Sequence, residues 1–82
     1  MNDLITNLEK LHTTELGAAR IEKNLELKTE DVVNWCKRKT ENAENIIRRG
    51  KNWYVYAGNC VITINAHSYT IITAHKTAAS GT

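Results

Sequence analysis

The stretch Ile64–Lys76, INAHSYTIITAHK, brings two histidines, a serine, a tyrosine and a lysine into one short segment. An imidazole changes charge near neutral pH, so His75 or His67 can serve as a general acid or base. Ser68 and Tyr69 can orient it. Arg48, Arg49, Lys51 or Lys76 can offset the charge that builds on a phosphate during displacement. These residue types suit metal-free RNA cleavage, in which the 2′-hydroxyl attacks and the protein moves protons. The candidate catalytic residues are therefore His75, Lys51, Arg48, Arg49, Ser68 and Thr73. Tyr54, Tyr56, Tyr69, His67 and Lys76 are candidates for contact with nucleic acid or a protein partner, because tyrosines on an open sheet stack on unpaired bases. Each has a plainer reading as well. His67 fits a polar turn, His75 fits a strand end bonded to backbone or water, and Tyr and Thr suit half-buried strands by propensity alone.

Charge supports a polyanion or an acidic protein surface as partner. The net charge of +2 conceals an asymmetry: residues 1–44 hold seven Lys/Arg against nine Asp/Glu, whereas residues 45–82 hold Arg48, Arg49, Lys51 and Lys76 and no acid. A region without carboxylates has nothing to hold a hard cation, so metal-dependent cleavage is not expected there. No metal and no cofactor is expected, since there is no Gly-rich phosphate loop, GxSxG or HExxH motif. Cys36 and Cys60 lack the spacing of zinc ligands and read as small buried apolar residues. No apolar run is long enough to span a membrane. The N-terminus lacks the basic and apolar blocks of a secretory signal, so a cytoplasmic location is expected.

The elements that must position these residues fall into two halves. With 82 residues, of which 41% are hydrophobic and 24% charged, the chain fits a single small soluble domain. Leu4, Leu8 and Leu11, with Ile5, share the face of a first helix. HTTELG breaks it, Thr13 or Thr14 can cap a second helix, and Ala18, Ile21 and Leu25 line that helix. His12 is read here as part of a cap. Thr29 is the expected N-cap of a third helix, with Val32, Val33 and Cys36 inward and Lys37, Arg38 and Lys39 at its C-terminal end. From about residue 45 the period falls from 3.6 to 2, and strands are expected near 52–57, 60–65 and 69–75 as an antiparallel meander. Residues 45–49 fit either a helix end stopped by Gly50 or a first strand.

The expected architecture is thus α+β: two or three N-terminal helices on one face of a three- to four-stranded antiparallel meander. Helices occupy about 3–44, the sheet about 45–76, and 77–82 form a flexible tail. Alternation assigns Trp53, Val55, Ala57, Cys60, Ile62, Ile64, Thr70, Ile72 and Ala74 to the core face. It assigns Tyr54, Tyr56, Val61, Thr63, Asn65, Tyr69, Ile71, Thr73 and His75 to the open face.

The strings LHTTELGAARIEKNL, EDVVNWCKRK, GKNWYVY and CVITINAHSYTIITAHK together resemble a small bacterial and phage family of unknown function. More loosely, helices followed by a basic, histidine-bearing antiparallel sheet resemble the barnase–colicin nuclease–RelE superfamily of compact ribonucleases. That resemblance implies a metal-free endoribonuclease of toxin type, with Arg48 or Arg49, Lys51, Ser68, Thr73 and His75 as its site. The sheet departs from that pattern in having no glutamate. Two other functions fit the same sequence. One is a non-enzymatic inhibitor or adaptor of phage anti-defence type that docks on a host protein through its tyrosines. The other is a winged-helix DNA binder that reads with the helix at 29–39, although Glu30 and Asp31 would then face phosphates.

Overall fold

The computed structural model describes residues 3–27 and 31–77. A short helix α1 (Asp3–Thr6) and a 3-10 turn (Leu8–Lys10) precede α2 (Glu15–Leu25) and α3 (Val32–Glu41). Four strands follow: β1 (Asn45–Arg49), β2 (Asn52–Ala57), β3 (Cys60–Asn65) and β4 (Ile71–Lys76). They pair antiparallel in the order β1-β2-β3-β4, as a meander. The protein is therefore an α+β fold, with the helices on one face of a four-stranded sheet.

The first helix of the sequence reading is interrupted. Asn7 leaves helical geometry, and its side chain donates to the Asp3 carbonyl at 2.8 Å, which competes with continuation of the helix. Leu4 and Leu11 are still buried, and Leu8 packs against the core. Thr14 caps α2 by accepting from Gly17 N at 3.0 Å. The helix ends at Glu26, whose left-handed backbone (φ 55°) turns the chain so that the Leu27 N–H donates to the Glu22 carbonyl at 3.0 Å. At α3 the cap is Asp31, not Thr29: the Asp31 carboxylate accepts from Asn34 N at 3.0 Å. Thr29 lies outside the described residues. Residues 78–82 of the expected tail do too, while Thr77 still donates from its N–H to the Asn59 carbonyl at 2.8 Å.

Residues 45–49 form a strand. Gly50 has φ +62°, the left-handed conformation that a two-residue hairpin needs and that glycine adopts without a Cβ clash. The chain therefore turns at Gly50-Lys51 instead of ending a helix.

The largest correction lies in β4. Thr63 pairs with Thr73, but the next residue, Ile64, pairs with Ile71, so Ile72 is an extra residue in a β-bulge. Before the bulge the side-chain alternation is shifted by one. Ile71, expected on the open face, is 1% exposed, and Ile72, expected in the core, is 39% exposed. Thr70 leaves the core set as well and forms an isolated parallel bridge with His12. Tyr69 leaves the open set, since it packs against the core.

The core lies between the helices and one sheet face. Trp53, Val55, Ala57, Cys60, Ile62, Ile64, Ile71 and Ala74 meet Ile21, Leu25, Val32 and Cys36 there. Both cysteines are free and buried. Burial, with a smaller contribution from neighbouring Cys60, pushes the Cys36 thiol up to about 12. Burial also raises the Cys60 thiol, partly opposed by Lys39. Thr40 is wholly buried on α3, and its hydroxyl has no hydrogen-bond partner among the described residues.

These features set three measurable outcomes. Ile71→Ala removes a buried side chain and should cost about 2–5 kcal/mol in chemical denaturation, whereas Ile72→Ala should stay within about 0.5 kcal/mol. Equal costs would show that the bulge is misplaced. Thr40→Val keeps the shape and removes the unpaired hydroxyl, so the denaturation midpoint should rise, by about 1 kcal/mol in stability. The Cys36 thiol releases its proton near pH 9 when unfolded and near 12 when folded. Between those values the folded state binds more protons, so this contribution to stability is full below pH 9 and is lost as pH rises toward 12. Denaturation of Cys36→Ala across that range should show a shallower alkaline decline than the parent chain.

Candidate functional site

The sheet register assigns each predicted site residue to a place. The open face carries three rows. The first is Asn45, Tyr56, Val61 and His75; the second is Ile47, Tyr54, Thr63 and Thr73; the third is Arg49, Asn52 and Asn65. Tyr54, Tyr56, Thr73 and His75 thus share this face as expected, and none of its residues is acidic. Val61 and Thr63 lie on it but are each only 8% exposed, because β3 is a central strand flanked by larger side chains.

The proposed catalytic group does not come together around His75. His75 and Arg49 stand four residues apart along the strands and three strands apart across the sheet. That is about 14 Å in each direction, too far for both to contact one phosphate. Lys51 lies in the β1–β2 turn beside Arg49 and is equally remote. Arg48 points to the other face, with its guanidinium carbon 5.6 Å from the centre of the Trp53 ring and its Nε donating to the Gly50 carbonyl at 2.9 Å. Lys76 is held by Glu26 at 2.8 Å, which ties the end of α2 to β4. The Lys76 ammonium, by hydrogen bond and by charge, holds the Glu26 carboxyl below its ordinary value.

A different histidine, His12, joins a predicted hydroxyl, that of Ser68, through Thr70. The Ala66 N–H donates to the Lys51 carbonyl at 2.7 Å, joining the β1–β2 turn to the β3–β4 loop that carries His67 and Ser68. The Asn65 carboxamide oxygen accepts from the His67 and Ser68 N–H groups, each at 2.9 Å, and shapes that loop. Next to it lies the segment after the 3-10 turn. The His12 N–H donates to the Tyr69 carbonyl at 3.2 Å, and the Ile71 N–H donates to the His12 carbonyl at 2.7 Å. This pairing places the His12 ring at Thr70. Its Nε2 is 3.0 Å from Thr70 Oγ1, which is 2.7 Å from Ser68 Oγ, which is 3.2 Å from Asn65 Oδ1. The other ring nitrogen, Nδ1, is 2.9 Å from the Lys10 carbonyl.

Proton counting allows two directions along this chain, and in the neutral one Ser68 gives its single hydroxyl hydrogen to Thr70 instead of Asn65. A carbonyl only accepts, so Nδ1 carries a hydrogen. In the neutral ring Nε2 then accepts from the Thr70 hydroxyl, and Thr70 accepts from Ser68. In the imidazolium the direction reverses: Nε2 donates to Thr70, Thr70 to Ser68, and Ser68 to Asn65. A hydroxyl within reach of an imidazole whose far nitrogen is fixed by a third group is the arrangement that activates oxygen nucleophiles and relays protons.

The surroundings are built tightly. Tyr69 is held at φ 61°, a left-handed conformation that bulky residues rarely adopt and that costs on the order of 1 kcal/mol or more. Its ring lies 5.4 Å from that of Trp53, and the Lys10 ammonium stands 5.5 Å from its centre. Lys10, Tyr69, Trp53 and Arg48 thus form a stack with a cation at each end. In sequence, His12 read only as a cap; the one available signal was a histidine and two threonines outside any helix.

The family described as "Protein of unknown function (DUF3781)" matches residues 5–75, and the chain belongs to that family. No curated protein and no solved structure matches the chain.

Proposed function

We propose that this protein binds single-stranded RNA on the open face of its sheet, in keeping with a small metal-independent RNA-directed protein. The observation that carries this reading is the pair of tyrosines on one acid-free face. Tyr54 and Tyr56 project from the same side of β2, one strand repeat or about 7 Å apart, and Arg49 and Asn52 form the next row beyond Tyr54. Aromatic faces accept any unpaired base, and a cation at the rim attracts the phosphates. Bases locked in a duplex cannot reach such a platform, so the unpaired strand is the natural ligand.

A protein partner is the second reading, favoured by one observation. Ile72 is exposed at its bulge on the edge strand β4, two strands from the tyrosines of β2. Tyrosine with an exposed aliphatic residue is a common anchor set in protein interfaces. An adaptor or inhibitor of a host protein would use it in this way.

Fluorescence anisotropy with a labelled single-stranded oligoribonucleotide tests the first reading. The single strand should bind more tightly than the same sequence as duplex. Tyr54→Ala and Tyr56→Ala should each weaken binding by about 1–3 kcal/mol. Arg49→Gln should flatten the salt dependence by roughly one charge. Equal affinity for duplex and single strand, or a Tyr54/Tyr56 double variant that binds like the parent, would overturn it.

A further inference from the structure

The His12–Thr70–Ser68 chain lies where a strand running along the tyrosine row would leave the sheet. On β2 the row passes from Tyr56 to Tyr54 to Asn52. Asn52 pairs with Asn65, whose carboxamide binds Ser68, and Ser68 touches Thr70. The Ala66 N–H donates to the Lys51 carbonyl, which sets the Lys51 turn against the loop that carries Ser68. A phosphate at this end would meet two hydroxyls and an imidazole together, with the Lys51 turn alongside. At His75 the Lys51 turn is out of reach.

We propose that this end of the sheet is a metal-independent RNA cleavage site, in which the Thr70 hydroxyl receives the proton of the ribose 2′-hydroxyl and passes its own to His12. The inference rests on the RNA-binding reading above. The steps balance as follows. The 2′-hydroxyl gives its proton to Thr70 Oγ1 while the Thr70 proton moves to His12 Nε2, 3.0 Å away. The 2′-oxygen bonds to phosphorus and the P–O5′ bond breaks. The leaving 5′-oxygen takes a proton from solvent water, and the imidazolium returns its proton to the hydroxide left behind. The products are a 2′,3′-cyclic phosphate and a 5′-hydroxyl, with no oxidant, reductant or metal consumed. The Lys10 carbonyl has a stated part: by holding Nδ1–H it leaves Nε2 free to accept, the tautomer this step requires. Lys51, whose turn is bonded to this loop through the Ala66 N–H, offsets the charge that builds on the phosphate. Thr70 is the group that touches substrate, and His12 acts through it.

The test is cleavage of a 5′-labelled single-stranded oligoribonucleotide in EDTA, across about pH 5 to 8, with binding measured in parallel by anisotropy. The parent chain should yield cyclic-phosphate ends, at a rate that climbs with pH across that range. Thr70→Val and His12→Gln should each lose about 100-fold or more in rate while binding the oligonucleotide like the parent. His12→Gln should also lose the pH dependence. Thr70→Ser, which keeps the hydroxyl, should retain most of the rate. Three results overturn the inference while leaving RNA binding intact: binding without cleavage, cleavage unchanged in Thr70→Val or His12→Gln, or an unaltered pH profile in His12→Gln. Failure of the parent chain to bind single-stranded RNA at all would remove the underlying reading as well.

Discussion

Strand β4 is held on both of its edges, and the rest of the molecule is arranged around that constraint. On its inner edge it pairs with β3 through the bulge at Ile72, which sends Ile71 into the core together with Ala74. Along its outer edge, the Ile71 N–H donates to the His12 carbonyl, Thr13 Oγ1 donates to the Ile71 carbonyl at 2.9 Å, and Asn24 Nδ2 donates to the Ala74 carbonyl at 3.2 Å. An unpaired edge is an invitation to other chains, and the α2 region blunts this one with side chains and a single backbone bridge. The same bridge delivers the His12 ring to Thr70.

Helix docking follows from this. α2 lies against β4, with Ile21 and Leu25 buried and the Lys76–Glu26 pair at its end. That pair is solvent-exposed and contributes orientation more than stability. The helices cover one sheet face, and the other keeps its tyrosines, threonine and histidine open. The division between a packed face and an open face comes from the same alternation on every strand, reset once at the bulge. The thiols fall on the packed side, where burial keeps them protonated and poor nucleophiles.

Much of the fold was legible in sequence because it rests on local periodicity. The apolar spacing of Ile21 and Leu25 marks a helix, and the alternation through NWYVYAGNCVITIN marks two strands and their turn. Where periodicity was broken, the reading slipped. ITIN and TIITA look alike in pattern, and nothing local says that Ile72 is an extra residue; only pairing with β3 decides that. Asn7 likewise interrupts a helix whose leucine spacing alone predicts continuity. Asp31 instead of Thr29 caps α3 because both residue types can accept from a backbone N–H, and the helix start decides between them.

The site divides along the same line. The sequence by itself determined the chemistry available: imidazoles, hydroxyls, tyrosines and four cations in a half without a carboxylate. It also determined that Tyr54 and Tyr56 share a face, because strand geometry repeats every two residues. Only the tertiary structure decided which groups meet. His75 and the Arg48–Lys51 turn are close in type but lie at opposite ends of the sheet. His12 reaches Thr70 across a separation of 58 residues. No periodicity encodes that contact. It exists because the outer edge of β4 needed partners for its backbone groups, and the segment carrying His12 supplied them.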